Sequence, residues 1–123
     1  MMRGSCLCGA CTFVVTARPD AASACHCTMC RKTSGHVWSS ARVAETDIAI
    51  DGPVRWFEAS DTARRGFCPD CGASMFWQGR GRDEISFALG CVDGDTGLRL
   101  EKHIFTADKG DYYDIADGLP QTP

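Results

Sequence analysis

Nine cysteines in a chain of 123 residues limit what this protein can fold into more than any other feature. They stand in tight groups, at positions 6, 8, 11, 25, 27, 30, 68, 71 and 91. Their number is odd, and no apolar secretion signal follows the first five residues, so a disulfide framework is not expected. Cysteines that are one or two residues apart are well placed to share a metal ion. We therefore expect metal-bound thiolates.

The chain has the length of one ordinary domain, and no linker, like-charge run or repeat divides residues 1–123. We therefore expect a single domain. No signal peptide and no segment long enough to span a bilayer is found, which predicts a soluble, cytoplasmic protein without membrane contact. The formal net charge of −3 provides no overall basic field for a phosphate backbone. A nucleic-acid partner is therefore not expected. Of the three functions considered below, an enzyme, a protein-binding module and a nucleic-acid-binding zinc knuckle, the last has the least support.

Short alternating or β-branched segments predominate, and helical periodicity is nearly absent. Strands are predicted at 11–15, 37–43, 54–57, 74–77, 85–91 and 98–105. One short helix is predicted from Met29 to Ser34, with Thr28 as its N-cap and Gly35 at its end, and 112–116 is a candidate for a further helical turn. The expected fold is mainly β, with small antiparallel sheets, one or two short helical turns and a thin core stapled by zinc.

The segment Cys68-Pro69-Asp70-Cys71-Gly72 is typical of a zinc knuckle, in which proline and glycine shape a tight loop between two thiolates. Tetrahedral zinc needs four ligands, so a second pair must come from elsewhere. The N-terminal segment offers Cys6 with Cys8 or Cys8 with Cys11. Cys11 also has a place in the core, because it shares a predicted strand face with two apolar residues. Spacing leaves both pairs open.

A second group, Cys25, Cys27 and Cys30, places three thiols within six residues. Cys30 lies in the first turn of the predicted helix, where backbone N–H groups favour a thiolate. Three protein ligands with an open fourth position are typical of a catalytic zinc site. Two alternatives stay open: a distant His36 or Asp70 could close the site and make it structural, or the cysteines could form a metal-free redox group.

Three further residues have simpler explanations. His26 is flanked by two candidate ligands, so we expect it to point away from the metal and to support the site or contact substrate. Cys91 is expected to be an inert core thiol on an apolar strand face. His103 is expected to be a hydrogen-bonded strand histidine.

Five segments that follow one another along nearly the whole chain add a family resemblance. They are GSCLCGA at 4–10, CHCTMCRK at 25–32, FCPDCG at 67–72, HIF at 103–105 and IADGLP at 115–120. Together they resemble the glutathione-dependent formaldehyde-activating enzyme family, which includes centromere protein V-like domains. The resemblance implies a β-tent fold that covers the whole chain as one domain.

The resemblance also implies two zinc ions per chain. The structural ion would be held by Cys6, Cys8, Cys68 and Cys71, and the catalytic ion by Cys25, Cys27 and Cys30. Cys11 and Cys91 match no ligand of the family and are expected to remain core thiols.

The implied reaction is that of S-(hydroxymethyl)glutathione synthase, a carbon–sulfur lyase: the reversible addition of glutathione thiol to formaldehyde or a related aldehyde. A zinc ion with an open position could lower the pKa of the thiol or polarise the aldehyde oxygen. By position, Arg31, Lys32 and Trp38 are candidates for glutathione contacts, and Arg42 is a further candidate for a carboxylate. The alternative function is a zinc-stabilised protein-binding module without catalysis, with a closed or empty second site and an exposed apolar patch. The sequence also leaves room for a homodimer formed through an exposed strand edge.

Overall fold

The computed structural model describes all 123 residues and shows ten β-strands and one short α-helix. The strands are β1 (Met2–Ser5), β2 (Thr12–Val15), β3 (Asp20–Cys25), β4 (Trp38–Ala44), β5 (Ile48–Asp51), β6 (Arg55–Glu58), β7 (Ala63–Phe67), β8 (Ser74–Gly79), β9 (Glu84–Ala88) and β10 (Lys102–Ile104). The helix α1 spans Thr28–Ser34, and 3-10 turns lie at Glu45–Asp47, Leu89–Cys91 and Thr106–Asp108. The predicted mainly β fold is confirmed. The one α-helix is too short to cross a membrane.

The strands form two sheets. The smaller has the order β1-β2-β5, and the larger has the order β10-β3-β4-β9-β8-β7-β6. All neighbouring strands run antiparallel except β10, which pairs parallel to β3 and sets Ile104 beside Cys25. The other strand pairs are antiparallel, as predicted, whereas this parallel pair was not predicted. It arises because the chain returns to the edge of β3 through the long connection after β9.

The core lies between the two sheets and is built on three phenylalanines. Phe13 comes from the smaller sheet, and its ring centroid lies 5.4 Å from that of Phe76 and 5.5 Å from that of Phe87, both on the larger sheet. All three side chains are fully buried, and each such burial stabilises the fold by about 1.5–3 kcal/mol. Gly4 lies directly against the ring of Phe13. A side chain does not fit here, because a Cβ at this position would come within 2.1 Å of the ring.

Helix α1 begins differently from the prediction. Cys27, not Thr28, is the N-cap, and its Sγ accepts a hydrogen bond from the backbone N–H of Cys30 at 3.3 Å. The C-x2-C spacing is the same as the spacing between an N-cap side chain and the third helical N–H, so a thiol takes the usual place of a hydroxyl. The helix ends as predicted at Gly35, which adopts φ 84°.

Other differences concern short elements. Strands β1, β3, β5 and β7 were not predicted. Small or charged residues mask the alternation in β1, β3 and β7, and β5 has only four residues. The predicted strand at 85–91 ends at Ala88, so Cys91 lies in a 3-10 turn and is half-buried, and the predicted strand at 98–105 shortens to β10. No helix forms at 112–116; instead, the rings of Tyr112 and Tyr113 pack on His36.

Candidate metal centres

The first cluster brings together Cys6, Cys8, Cys68 and Cys71, whose sulfur atoms all lie within 4.8 Å of one another. The Sγ of Cys8 lies 3.6 Å from that of Cys6 and 3.7 Å from that of Cys68. Four sulfurs about 2.3 Å from a tetrahedral zinc ion would be separated by about 3.8 Å. All nine cysteines are free of disulfides. The donor set and its spacing therefore fit a closed, four-thiolate zinc site.

The surrounding backbone favours thiolates in this cluster. Burial alone would raise the pKa of Cys6, but a hydrogen bond from the N–H of Cys11 and contacts with neighbouring thiols lower it to about 6. The N–H of Cys11 lies 3.3 Å from the Sγ of Cys6. Gly72 adopts φ 79°, a left-handed conformation that favours glycine, and it closes the loop after Cys71.

The structure separates the two pairs that spacing had left open. Cys6 and Cys8 lie in the cluster, whereas the thiol of Cys11 is fully buried beneath it. Burial, together with the neighbouring thiols, raises the pKa of Cys11 to about 12, so Cys11 stays protonated. Cys11 is therefore a core thiol that contributes its backbone N–H to the cluster. Cys91 lies outside both clusters, and burial raises its pKa to about 11.

The second cluster consists of Cys25 at the end of β3, Cys27 at the helix cap and Cys30 in the first helical turn. Their sulfur atoms also lie within 4.8 Å of one another. The Cys25 thiol donates to Cys30 and lowers the pKa of Cys30 to about 6, with Arg65 adding to this effect against the effect of burial. The pKa of Cys25 is raised in turn, because it shares its proton with Cys30 and is buried. The donor set suits the same soft metals as the first cluster.

No fourth cysteine, histidine or carboxylate completes this second cluster. His36 is exposed, and its Nδ1 lies 2.9 Å from the hydroxyl of Tyr112. Asp70 is exposed in the loop of the first cluster. Neither residue closes the three-cysteine group, so a four-coordinate ion held there would keep one position for a non-protein ligand.

The three cysteines line a cavity of about 580 Å³, a volume in the range of small-molecule sites. Trp38 and Trp77 contribute aromatic surface, and Arg42, Arg65 and Lys102 contribute positive charge. The indole N–H of Trp38 donates to the carbonyl of Ser74 at 3.2 Å, which fixes the ring. The candidates Trp38 and Arg42 thus lie at the cavity.

Arg31 and Lys32, the other two candidates for substrate contact, are not among the residues that line the cavity. Arg31 Nη1 instead donates to the backbone carbonyl of Asp108 at 3.0 Å, which ties helix α1 to the segment after β10. Lys32 lies exposed on the helix.

Arg65 is the residue that sequence reasoning missed. It follows Arg64 in the sequence and lies in β7 with only 6% of its surface exposed. Its Nη2 donates to the Sγ of Cys30 at 3.4 Å. Strand alternation is the signal that could have found it, since neighbouring side chains of β7 point to opposite faces.

His26 points away from the second cluster, as expected, and is fully buried in a chain of polar groups. Its Nε2 lies 2.8 Å from Nδ1 of His103, and the Nε2 of His103 lies 2.7 Å from a carboxylate oxygen of Asp117. The hydroxyl of Tyr113 contacts Nδ1 of His26. Burial and the nearby His103 lower the pKa of His26, so the ring stays neutral. The predicted role of His103 as a hydrogen-bonded strand histidine is confirmed.

Comparisons with known proteins agree with these features. A protein of Schizosaccharomyces pombe that is named as an uncharacterized lyase is 24% identical over 121 residues, which cover 93% of this chain and 85% of that protein. A crystal structure of a Rhodobacter sphaeroides protein superposes with a TM-score of 0.60 at 25% identity, covering 76% of this chain and 90% of that one. Residues 1–108 match the family described as glutathione-dependent formaldehyde-activating enzyme. These likenesses support an enzyme of lyase type, and the chain belongs to the glutathione-dependent formaldehyde-activating enzyme family.

Proposed function

We propose that this protein is a zinc-dependent carbon–sulfur lyase that joins the thiol of glutathione, or of a related small thiol, to formaldehyde or a related small aldehyde. The observation that carries the proposal is a group of three cysteines that lacks a fourth protein ligand and opens onto a cavity of about 580 Å³. In this proposal Cys25, Cys27 and Cys30 hold a catalytic zinc ion. The structural zinc ion is held by Cys6, Cys8, Cys68 and Cys71, which gives two ions per chain.

The proposed addition is balanced without an oxidant or reductant. The thiol sulfur bonds to the carbonyl carbon, the π electrons of the C=O bond move to the oxygen, and that oxygen takes up the proton that the thiol loses. A zinc ion at the open site would lower the pKa of the substrate thiol and polarise the carbonyl group of the aldehyde. The reverse reaction breaks the C–S bond and returns both substrates.

The residues of the cavity suit an anionic thiol. Glutathione carries two carboxylates, and Lys102, which forms no ion pair within the protein, is available to one of them. Arg42 is less available, because its Nε lies 3.4 Å from Asp20 and 3.2 Å from Glu84. Trp38 and Trp77 reduce the access of water on the sides of the cavity. This arrangement favours binding close to the three cysteines.

The test combines metal content with exchange spectroscopy. We expect two zinc ions per chain, of which a mild chelator removes one without unfolding the protein. NMR exchange spectroscopy of glutathione and formaldehyde should show faster interconversion when the two-zinc protein is added. Cys91→Ser serves as a control, because it removes a cysteine that lies outside both clusters. This variant should accelerate the exchange as the wild type does. Two bound ions without acceleration over the spontaneous rate would exclude this substrate pair, and a single ion without acceleration would favour a binding module.

A further inference from the structure

Arg65 is a buried cation without a carboxylate partner. It forms none of the ion pairs of the protein, and its Nε and Nη1 are buried without a hydrogen-bond partner. Its single hydrogen bond runs from Nη2 to the Sγ of Cys30 at 3.4 Å. A buried charge is strongly disfavoured unless an opposite charge lies beside it. The compensating charge must therefore come from the cysteines.

The charge of the metal-loaded cluster matches this need. Three thiolates around a divalent cation carry one net negative charge, and one guanidinium cancels it. The Trp38 ring, 5.8 Å from the guanidinium carbon, limits the movement of Arg65 on its other side. The unpartnered nitrogens are buried from solvent, and the third nitrogen is directed at the cluster through its hydrogen bond to Cys30.

We infer that Arg65 is a positioning residue that compensates the negative charge of the metal-loaded three-cysteine cluster and holds Cys30 in place. The inference rests on the proposed function, because it requires a metal ion at Cys25, Cys27 and Cys30. With Arg65 in place, the loaded cluster is neutral overall. Its fourth position can then accept an anionic thiolate without accumulating two negative charges beside the apolar wall.

Arg64 provides a matched control for this role. It neighbours Arg65 in the same strand but points to the other face, where its guanidinium lies 4.0 Å from the Trp56 ring centroid and donates to the side-chain oxygen of Gln78. It does not line the cavity of the three cysteines. Arg64→Met therefore removes the same charge and the same volume without touching the cluster.

The experiment loads the purified protein with cobalt(II) and follows the thiolate-to-cobalt absorption during competition with a chelator. Removal of a group that orients a metal ligand through a hydrogen bond lowers the metal affinity by about 10- to 100-fold. We expect Arg65→Met to weaken cobalt binding at the second site by about this factor and to leave binding at the first site unchanged. Arg64→Met should bind cobalt at both sites as tightly as the wild type. Arg65→Lys, which keeps the charge, should lose less affinity than Arg65→Met.

Stability distinguishes charge compensation from a structural role. Cys30 can stay protonated when Arg65 is replaced by an apolar chain of similar length, so Arg65→Met leaves no buried charge uncompensated. Its thermal unfolding with only the first site filled should therefore stay close to that of the wild type. A merely structural residue would lose stability and leave the affinity of the second site unchanged. If Arg65→Met does not fold, Arg65→Gln is measured against the same criteria.

Two results separate the inference from the proposed function. A folded Arg65→Met or Arg65→Gln protein that holds the second cobalt ion as tightly as the wild type would overturn the role of Arg65. Equal losses in Arg65→Met and Arg65→Lys would overturn it too. A wild-type protein that binds a single cobalt ion would overturn the proposed catalytic metal site itself.

Discussion

His26 and His103 are 77 residues apart in the chain, yet Nε2 of His26 lies 2.8 Å from Nδ1 of His103. The direction of the hydrogen bonds follows from Asp117. Its carboxylate can only accept, so Nε2 of His103 donates to it and Nδ1 of His103 accepts from His26. Nδ1 of His26 then accepts from the hydroxyl of Tyr113. The loop that carries Cys25 and Cys27 is thereby anchored to the C-terminal segment.

The first prediction concerns this anchor. His103→Ala leaves the buried Nε2–H of His26 without an acceptor, which should lower the free energy of unfolding by about 1–3 kcal/mol. We also expect weaker metal binding at the three-cysteine cluster and unchanged binding at the four-cysteine cluster. Urea unfolding and metal analysis measure both. Glu101→Ala is the control, because the exposed side chain of Glu101 forms no ion pair and should change stability by less than about 0.5 kcal/mol.

The second prediction concerns the pH dependence of the same chain. The hydrogen bond from His103, with a second one from the N–H of Leu119, lowers the pKa of Asp117 below its ordinary value of 3.8. A carboxyl group whose pKa is lowered by folding stabilises the protein above its unfolded pKa, and this contribution is lost as the pH falls through the folded pKa. Asp117→Asn should therefore be less stable than the wild type at pH 5 and above. The difference should shrink in acid below pH 3.8.

Urea unfolding of Asp117→Asn and wild type at several pH values checks this expectation. Asp114→Asn serves as the control, since Asp114 is an exposed neighbour without a hydrogen-bonded partner of this kind. A constant difference between Asp117→Asn and wild type from pH 6 to pH 3 would contradict the assigned role of the carboxylate.

The third prediction separates the two cysteine clusters. Cys68→Ser should prevent stable folding, because a structural zinc site contributes about 10–16 kcal/mol of apparent binding free energy, which is as large as the stability of a typical domain. Cys27→Ser should remain folded, since the three-cysteine cluster lies at the wall of a cavity, but it should lose catalytic activity. Circular dichroism and the glutathione–formaldehyde exchange assay measure the two outcomes. Equal loss of folding in both variants would contradict this division of roles.

The fourth prediction concerns the packing of the two sheets. In Gly4→Ala the new Cβ would meet three ring atoms of Phe13 at 2.1 to 2.7 Å. Phe13 is held between two other rings, so the clash should lower the free energy of unfolding by about 1–3 kcal/mol. Gly90→Ala is the control, because a Cβ at Gly90 has no neighbour within 4 Å. Similar stability of the two variants in thermal unfolding would show that the sheets can separate locally at little cost.

The sequence predicted those parts of the molecule that depend on short-range spacing. Both cysteine clusters follow from loops of one or two residues between thiols, and Gly35 ends the helix where a left-handed residue is required. The choice between Cys6 and Cys11 as a ligand could not be made from spacing, because both thiols are buried. It depends on which of them the fold turns towards the other three cysteines, and that thiol is Cys6.

What the sequence could not reveal depends on pairing across the sheets. Arg65 resembles its half-buried neighbour Arg64 until the register of β7 is known, because the two residues differ only in the face to which they point. The contact of His26 with His103 depends on the parallel pairing of β10 with β3. No local pattern predicts that pairing.

The position of β10 has a consequence for the order in which the protein is built. All four thiols of the first cluster are available once residue 71 has emerged from the ribosome, and domains begin to fold from their N-terminal part during synthesis. The cavity wall formed by Ile104, Phe105 and Asp108 does not yet exist at that moment. A nascent chain can therefore bring its four thiols together while the edge of β3 is still bare, and the cavity is enclosed only after residues 104–108 have emerged.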